Sequence, residues 1–229
     1  MVARKTSTQL RRAYELMRAR FGHRHWWPAE TPFEVILGAY LTQNTSWRAV
    51  ERSLANLRAA GALSLAGIRA LSLDELQALI RPSGFATRKA PAIKAFVAMV
   101  DAEFSGSLHQ VSATPLDALR TRLLALPGVG PETADAILLY AFARPVPVAD
   151  EYLRRIAERH ALLDPPPGPR RYESLVQLTR AAFARDPAPS HAQLFNEFHA
   201  LVVAVGKAHC GRTADCAHCP LSRDLAASS

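Results

Sequence analysis

The chain has 229 residues, of which 49% are hydrophobic and 21% are charged, and its formal net charge is +8. That length and apolar content can bury a core as one domain or two small ones. No apolar run approaches the length of a membrane span, and the basic N-terminus lacks the apolar segment of a secretory signal, so we expect no membrane partner. The three cysteines fall in the last twenty residues, which excludes a disulfide framework and favours a cytoplasmic protein.

Apolar residues recur at helical spacing along most of the chain, and no stretch shows the alternation of a strand. We therefore predict an all-α fold. The positive charge favours a polyanionic partner, with a generally basic surface as the alternative. In chain order, the predicted helices cover residues 7–21, 32–41, 46–60, 71–82, a segment within 84–104, 116–126, 132–142, 151–162, 171–185 and 190–206.

Residues 127–131, Pro-Gly-Val-Gly-Pro, separate two of these helices by a tight turn. Gly128 and Gly130 permit positive φ and leave one side of the backbone bare, and Pro131 suits the first position of a helix. A bare turn that leads into a helix N-terminus offers unpaired amides to an anion such as a phosphate. The alternative is an ordinary corner between two helices, with the glycines serving packing.

Asp150 follows Pro131 by nineteen residues and stands directly before a predicted helix. Asp is a favoured N-cap residue, so the position alone favours a helix cap. Capping and a catalytic role for the same carboxylate are compatible.

The string LPGVGPETA, followed by VAD at 148–150, resembles the helix-hairpin-helix/Gly-Pro-Asp superfamily of DNA glycosylases, the endonuclease III-like enzymes. The resemblance implies a six-helix barrel over residues 30–145 and a second helical domain from 1–29 and 146–229, with a cleft between them. It implies a monomer that binds double-stranded DNA containing a damaged base, with Asp150 as the catalytic carboxylate. The residues that it places on the DNA backbone are Gly128, Val129, Gly130 and Thr133.

Glu132 occupies the hairpin position at which endonuclease III carries a lysine, directly before the Thr-Ala pair. That amine forms a Schiff base with the sugar and leads to strand cleavage, whereas a carboxylate cannot form an imine. The departure predicts a monofunctional glycosylase that uses water and leaves an abasic site. The alternative is a lyase activity supplied by another lysine.

The segment LTQNTSW, residues 41–47, with HWWP at 25–28, resembles the 3-methyladenine glycosylase branch of the same superfamily. The resemblance makes Gln43 the side chain that fills the gap left by the flipped nucleotide, with Asn44 beside it. Trp47 and either Trp26 or Trp27 would enclose the base. A methylated purine is cationic, and a cation is attracted to the face of an indole ring. The alternative for the tryptophans is core packing.

Four further cations are carried over from the resemblance. Lys207 matches a lysine in the polar surroundings of the branch's active site, with the alternative of a cation that stabilises a helix C-terminus. Arg88, Lys89 and Lys94 lie in a segment, residues 81–94, that resembles the loop after the third barrel helix, and they are candidates for phosphate contacts. Their alternative is plain exposure to solvent.

Cys210, Cys216 and Cys219 resemble the iron–sulfur loop of endonuclease III, with two departures. The first spacing is one residue short, and Leu225 stands where the fourth cysteine is expected. One interpretation is a 4Fe–4S cluster with a fourth ligand that is not cysteine. A second is a loop of free thiols without a cluster, and a third is zinc held by three Cys and one His. The fourth-ligand candidates are His209, Asp215, His218, Asp224 and solvent.

These patterns predict a monofunctional DNA glycosylase of base excision repair that acts on an alkylated purine such as 3-methyladenine. One alternative is an endonuclease III-type glycosylase for oxidised pyrimidines with lyase activity. The other is a protein that binds DNA lesions without catalysis.

Overall fold

A computed structural model describes residues 2–24, 26–27, 29–163 and 171–222, with side chains from Thr6 onward. These residues form helices joined by short loops and no strands, so the all-α prediction is confirmed. None of the helices in this part of the chain is long and apolar enough to cross a membrane. The helices are α1 Val2–Phe21, α2 Pro32–Leu41, α3 Trp47–Ala59, α4 Leu65–Ala70, α5 Leu73–Ile80, α6 Ala86–Phe104, α7 Leu108–Ala113, α8 Leu116–Leu124, α9 Pro131–Ala136, α10 Glu151–Arg159, α11 Arg171–Phe183 and α12 His191–Ala208.

Residues 29–144 form one compact unit, and α2 is its central helix. Every residue of α2 from Phe33 to Leu41 is buried, because the helix packs against α3, α6 and α9. A π-helical turn, Ile137–Ala141, continues α9 and also packs on α2. The sequence-based division had set the ends of this unit at residues 30 and 145.

Residues 1–28 and 145–229 belong to a second unit, in which α1 packs on α11 and α12, and α10 packs on α11 and α12. Its core contains an aromatic cluster in which the Phe183 ring contacts the rings of Tyr14, Phe195 and Phe198. The ring centroids are 5.2 Å apart for Tyr14 and Phe183 and 5.4 Å apart for Phe183 and Phe198. This unit is thus built from the two end segments of the chain, which flank residues 29–144 in the sequence.

Local capping explains where several helices begin. At the start of α2, the Thr31 hydroxyl oxygen accepts a hydrogen bond from the backbone N–H of Glu34. At the start of α5, Ser72 and Glu75 form a reciprocal capping box. The Asp150 carboxylate caps α10 by accepting the backbone N–H of Leu153. These polar side chains satisfy amides that would otherwise have no partner at a helix start.

Two helices were not predicted from the sequence, α4 and α7, each of six residues. Each buries a single residue, Ile68 in α4 and Val111 in α7, so neither shows a repeating apolar pattern. Ser64 and Ser107 cap them through their hydroxyl oxygens. The predicted helix at 132–142 also differs, because its second half is the π-helical turn.

Candidate active site and nucleic-acid-binding hairpin

The turn between α8 and α9 has the conformation that its glycines suggested. Gly128 has φ +74°, and a Cβ at this position would lie 3.2 Å from the Cβ of Ala92 on α6. Gly128 and Gly130 are exposed, whereas Val129 is buried and anchors the turn. Pro131 is the first residue of α9. The turn therefore presents bare backbone on one side and is packed on the other.

A buried ion pair joins the two helices of the hairpin. Arg120 of α8 donates from Nε and Nη2 to the two carboxylate oxygens of Asp135 on α9, at 2.7 and 3.0 Å. Asp135 is fully buried, while Arg120 keeps about a quarter of its side chain exposed. A bidentate pair of this kind fixes orientation as well as distance. The angle between the helices is thus determined by the pair rather than by the turn alone.

Gln43 lies against the hairpin in the same unit. Its Nε2 donates to the carbonyl oxygen of Gly128 and to the hydroxyl oxygen of Thr133, both at 2.9 Å. Asn44 follows with a left-handed φ of 53° and is exposed. The structure therefore brings together three of the residues predicted to contact DNA, and the Thr133 hydroxyl is used to hold Gln43.

Lys89 requires a correction, because its ammonium is not available to phosphate. It is 4% exposed, and Nζ donates to the carbonyl oxygens of Leu41 and Ser83 at 2.9 and 2.8 Å. Lys89 therefore ties the end of α2 to the loop before α6. Burial lowers the pKa of its ammonium. Arg88, its neighbour, is exposed, which fits both a phosphate contact and plain solvation. Lys94 needs the same correction as Lys89, because its Nζ donates to the carbonyl oxygens of Ile68 and Leu71.

Phe85 is a residue that the sequence interpretation missed. It is 57% exposed, it has a left-handed φ of 50°, and it directly precedes α6. Non-glycine residues with positive φ are uncommon, and strained positions of this kind cluster at functional sites. The Lys89 ammonium lies 6.0 Å from the centre of its ring. A signal was present in the sequence, since an aromatic residue after Gly84 has no apolar partner at helical spacing.

Asp150 lies at the N-terminus of α10 in the second unit, with 12% of its side chain exposed. One carboxylate oxygen, Oδ1, accepts the backbone N–H of Leu153 at 2.8 Å. The other, Oδ2, lies 3.5 Å from Nε2 of His199 on α12. The capping role and a partly accessible carboxylate thus coexist at one residue.

The aromatic loop before residue 29 is tied to α12 as well. Glu197 is buried, and its carboxylate accepts the backbone N–H of Arg24 at 2.9 Å and lies 3.6 Å from the imidazole of His23. Trp26 and Trp27 are half-buried with ring centroids 6.1 Å apart. His25 and Pro28, the outer residues of the HWWP segment, lie outside the described residues.

Lys207 lies in the last turn of α12, with its ammonium 5.8 Å from the centre of the Trp26 ring. This contact places two of the predicted base-binding residues side by side within one unit. Trp47 belongs to the other unit, where it is half-buried and its indole N–H donates to Glu51 at 2.9 Å.

The three cysteines differ in their surroundings. Cys210 is buried and accepts a hydrogen bond at 2.9 Å from Arg159, Cys216 is exposed, and Cys219 is half-buried. Burial raises the pKa of the Cys219 thiol. Asp224 and Leu225 lie outside the described residues.

The donor set does not fit a four-thiolate cluster. The chain contains three cysteines in all. Among the residues that the structure describes, no three His, Cys, Asp or Glu side chains are arranged to hold a metal ion. A 4Fe–4S cluster takes four ligands, so the three cysteines of one chain cannot supply all of them.

Comparison with known proteins agrees with this geometry. Residues 37–180 match the HhH-GPD superfamily base excision DNA repair protein family. A Methanocaldococcus jannaschii protein that carries the name of a DNA repair glycosylase is 37% identical over 210 residues, 91% of each chain. The Thymine/uracil-DNA glycosylase of Pyrobaculum aerophilum is 27% identical over 87% of this chain and 82% of its own.

A solved structure gives the same fold. The H. pylori 3-methyladenine DNA glycosylase MagIII bound to 1,N6-ethenoadenine superimposes with a TM-score of 0.74 and 28% identity. The match covers 88% of this chain and 97% of that one. The hairpin, the aspartate at the start of α10 and these similarities lead to one conclusion. The chain belongs to the HhH-GPD superfamily of base excision DNA repair proteins and is a DNA repair glycosylase.

Proposed function

We propose that the protein is a monofunctional glycosylase that removes alkylated purines such as 3-methyladenine from double-stranded DNA. The observation that carries the proposal is Asp150, a partly exposed carboxylate held at a helix N-terminus by a single backbone hydrogen bond of 2.8 Å. The similarity to a 3-methyladenine glycosylase over nearly its whole length supports the choice of substrate.

Asp150 acts on the deoxyribose of a nucleotide that has left the base stack. Cleavage of the N-glycosidic bond gives the sugar oxocarbenium character, and an ionised carboxylate stabilises that positive charge. The electron pair of the broken C1′–N bond leaves with the base. Water then adds at the anomeric carbon and loses a proton to solvent, which gives an abasic site. Glu132, exposed in the hairpin, cannot form the imine that would lead to strand cleavage.

The tryptophans recognise the base by charge as well as shape. A methylated purine carries delocalised positive charge, and an indole face attracts it more strongly than it attracts a neutral base. Trp26, Trp27 and Trp47 are all half-buried, so each combines a fixed position with an accessible part of its ring. Alkylation also weakens the glycosidic bond, so the site needs little acid catalysis.

The unit of residues 29–144 binds the DNA backbone. The exposed backbone of Gly128 and Gly130 and the guanidinium of Arg88 bind phosphates. Gln43 is held at the hairpin by two hydrogen bonds and fills the space of the flipped nucleotide. Phe85, exposed and apolar, stacks on a neighbouring base.

The test is release of free base from DNA treated with a methylating agent, with the products separated by chromatography. The wild-type protein should release methylated purines and leave strands that break only after alkali. Asp150→Asn should lower the single-turnover rate by about 10²- to 10³-fold, since one electrostatic contributor is lost, while DNA affinity is kept. An Asp150→Asn variant with the wild-type rate contradicts the role of Asp150.

A second candidate is removal of thymine or uracil from mismatched duplex, favoured by the similarity to the Pyrobaculum aerophilum enzyme. Duplexes that contain G·T, G·U or thymine glycol, assayed beside methylated DNA, separate the candidates. Release of thymine or uracil alone would identify mismatched duplex, and not alkylated DNA, as the substrate. Strand breaks without alkali would identify a lyase instead.

We propose further that Cys210, Cys216 and Cys219 serve the fold of the C-terminal loop and take no part in base removal. Iron and zinc per chain, measured on protein purified without air, report any metal. Removal of that metal with a chelator should leave the single-turnover rate per folded molecule unchanged.

A further inference from the structure

We infer that His199 is a positioning residue that holds the Asp150 carboxylate in its reacting orientation. The inference rests on the proposed function of Asp150. His199 Nε2 lies 3.5 Å from Asp150 Oδ2, whereas the Leu153 amide donates to the other carboxylate oxygen, Oδ1.

A carboxylate held at one oxygen can still rotate about its side-chain bonds. The Leu153 amide fixes Oδ1 and leaves the plane of the group undetermined. A second contact at Oδ2 limits this rotation and therefore decides where the negative charge points. His199 supplies that contact from a separate helix, which makes the two constraints independent.

The imidazole is itself well fixed. His199 lies in the middle of α12 and is 7% exposed. Its helix is locked to α10 by Gly206, because a Cβ at that position would overlap the ring of Tyr152. Tyr152 stands two residues after Asp150, so the close approach of the helices sets the distance between Asp150 and His199.

The chemistry favours an imidazole that donates without transferring its proton. With hydrogen on Nε2, a neutral ring can donate to Oδ2 once the two atoms come within hydrogen-bond distance, and the carboxylate keeps its charge. A distance of 3.5 Å is longer than a normal hydrogen bond, and such contacts shorten when charge develops at the site. A protonated ring would instead compete with the oxocarbenium ion for the carboxylate.

The neighbouring ionic groups of α12 are engaged elsewhere. Glu197 contacts Arg24 and His23, and Lys207 lies over Trp26. The contact between His199 and Asp150 is thus distinct from the anchoring of the aromatic loop.

The experiment compares three variants at position 199 in single-turnover base release at saturating protein. His199→Leu should reduce the rate by about 10²-fold, the cost of a carboxylate misplaced by about 1 Å. His199→Gln places an amide N–H near the position of Nε2 and should recover most of the rate. His199→Asn is one carbon shorter and should not.

Affinity for DNA carrying an uncleavable abasic analogue is measured in parallel and should be unchanged in all three variants. Equal rates for the Gln and Asn variants, or a wild-type rate in His199→Leu, would overturn the inference. If His199→Leu does not fold, the Gln and Asn pair still decides. Asp150→Asn runs beside them: activity in that variant refutes the proposed function, whereas its inactivity with unaffected His199 variants refutes the role of His199 alone.

Discussion

The hairpin between α8 and α9 and the C-terminal loop are each contacted by an arginine, and the two arginines differ in the groups to which they donate hydrogen bonds. In the hairpin, Arg120 reaches a fully buried carboxylate with two short hydrogen bonds. In the C-terminal loop, Arg159 is exposed and donates to the Cys210 sulfur and to the carbonyl oxygens of Gly211 and Arg212, at 2.9 to 3.1 Å. The first turn carries the string Pro-Gly-Val-Gly-Pro, and the second lies in the segment that carries all three cysteines of the chain.

From this comparison we expect a buried ion pair to restrict a turn to one conformation more strongly than hydrogen bonds to backbone carbonyls at the surface do. Breaking a buried pair leaves an uncompensated charge and costs several kcal/mol, whereas an exposed contact contributes about 1 kcal/mol or less. The hairpin should therefore unfold only with its whole unit. The cysteine loop should open locally, at a lower free energy.

The largest expected effect is the loss of the hairpin ion pair. Arg120→Met removes the bidentate guanidinium from the buried Asp135 carboxylate and should lower the free energy of unfolding by about 3–5 kcal/mol. The matched control is Arg122→Met, two residues along α8, which removes a pair with Glu103 in which both side chains are about half exposed. That variant should lose less than about 1 kcal/mol. Urea unfolding of both proteins measures the difference, and equal losses would remove the distinction between buried and exposed arginine contacts.

The next effect concerns the backbone of the same turn. Gly128→Ala forces a left-handed φ of +74° on an L-residue and pushes a methyl group toward Ala92. It should destabilise the unit by about 1–2 kcal/mol and weaken DNA binding, because the amides of the turn are displaced. Gly130→Ala is the control for stability: its φ is −95°, and no atom lies within 4 Å of the added Cβ. Thermal unfolding should separate the two variants, and binding of Gly128→Ala to an abasic-analogue duplex, compared with the wild type, measures the effect of the displaced amides.

The hairpin was predictable from the sequence for a physical reason. Its turn depends on residues adjacent in the chain: glycine indicates where a positive φ is permitted, and proline indicates where a helix begins. Asp150 was predictable as a cap on the same ground. α4 and α7 were not, because a helix that buries one residue has no periodicity to detect, and a serine cap alone is common outside helices.

The contacts between distant segments could not be predicted. Gln43 was assigned to DNA, yet its bonds to Gly128 and Thr133 join residues 85 and 90 positions apart. Lys89 was placed among surface cations, because nothing near it in the chain shows that Leu41, 48 positions away, closes over it. The link from Asp150 to His199 is of the same kind.

A smaller effect follows from Lys89 and depends on pH. Burial lowers the pKa of this ammonium below its ordinary value of about 10.4, so the unfolded chain binds the proton more tightly than the folded one. Stability from this group therefore rises with pH between the lowered pKa and the ordinary one, by at most about 1.4 kcal/mol per pH unit. Lys89→Met should abolish this rise, whereas Lys207→Met, which removes an exposed lysine, should keep it. Urea unfolding from pH 7 to about 10.4 measures both slopes; parallel slopes for Lys89→Met and the wild type would contradict the buried position of its charge.

The smallest expected effect lies in the cysteine loop and tests the other half of the comparison. Arg159→Met removes three contacts to residues 210–212 and leaves the hydrogen bond from the Cys210 amide to the Val205 carbonyl oxygen. The free energy of unfolding should therefore fall by about 1 kcal/mol or less, since the arginine is also exposed. The local effect should be larger: the buried Cys210 thiol should react with a thiol reagent about tenfold faster, which corresponds to about 1.4 kcal/mol of easier opening. Arg155→Met is the control, because Arg155 lies one turn earlier on α10 and pairs with Glu151 of the same helix at 3.1 Å. Cys216, already exposed, should react at the same rate in every variant. If Cys210 stays protected in Arg159→Met, the loop is fixed by something other than this arginine, and iron or zinc found in the purified protein would then identify the missing constraint.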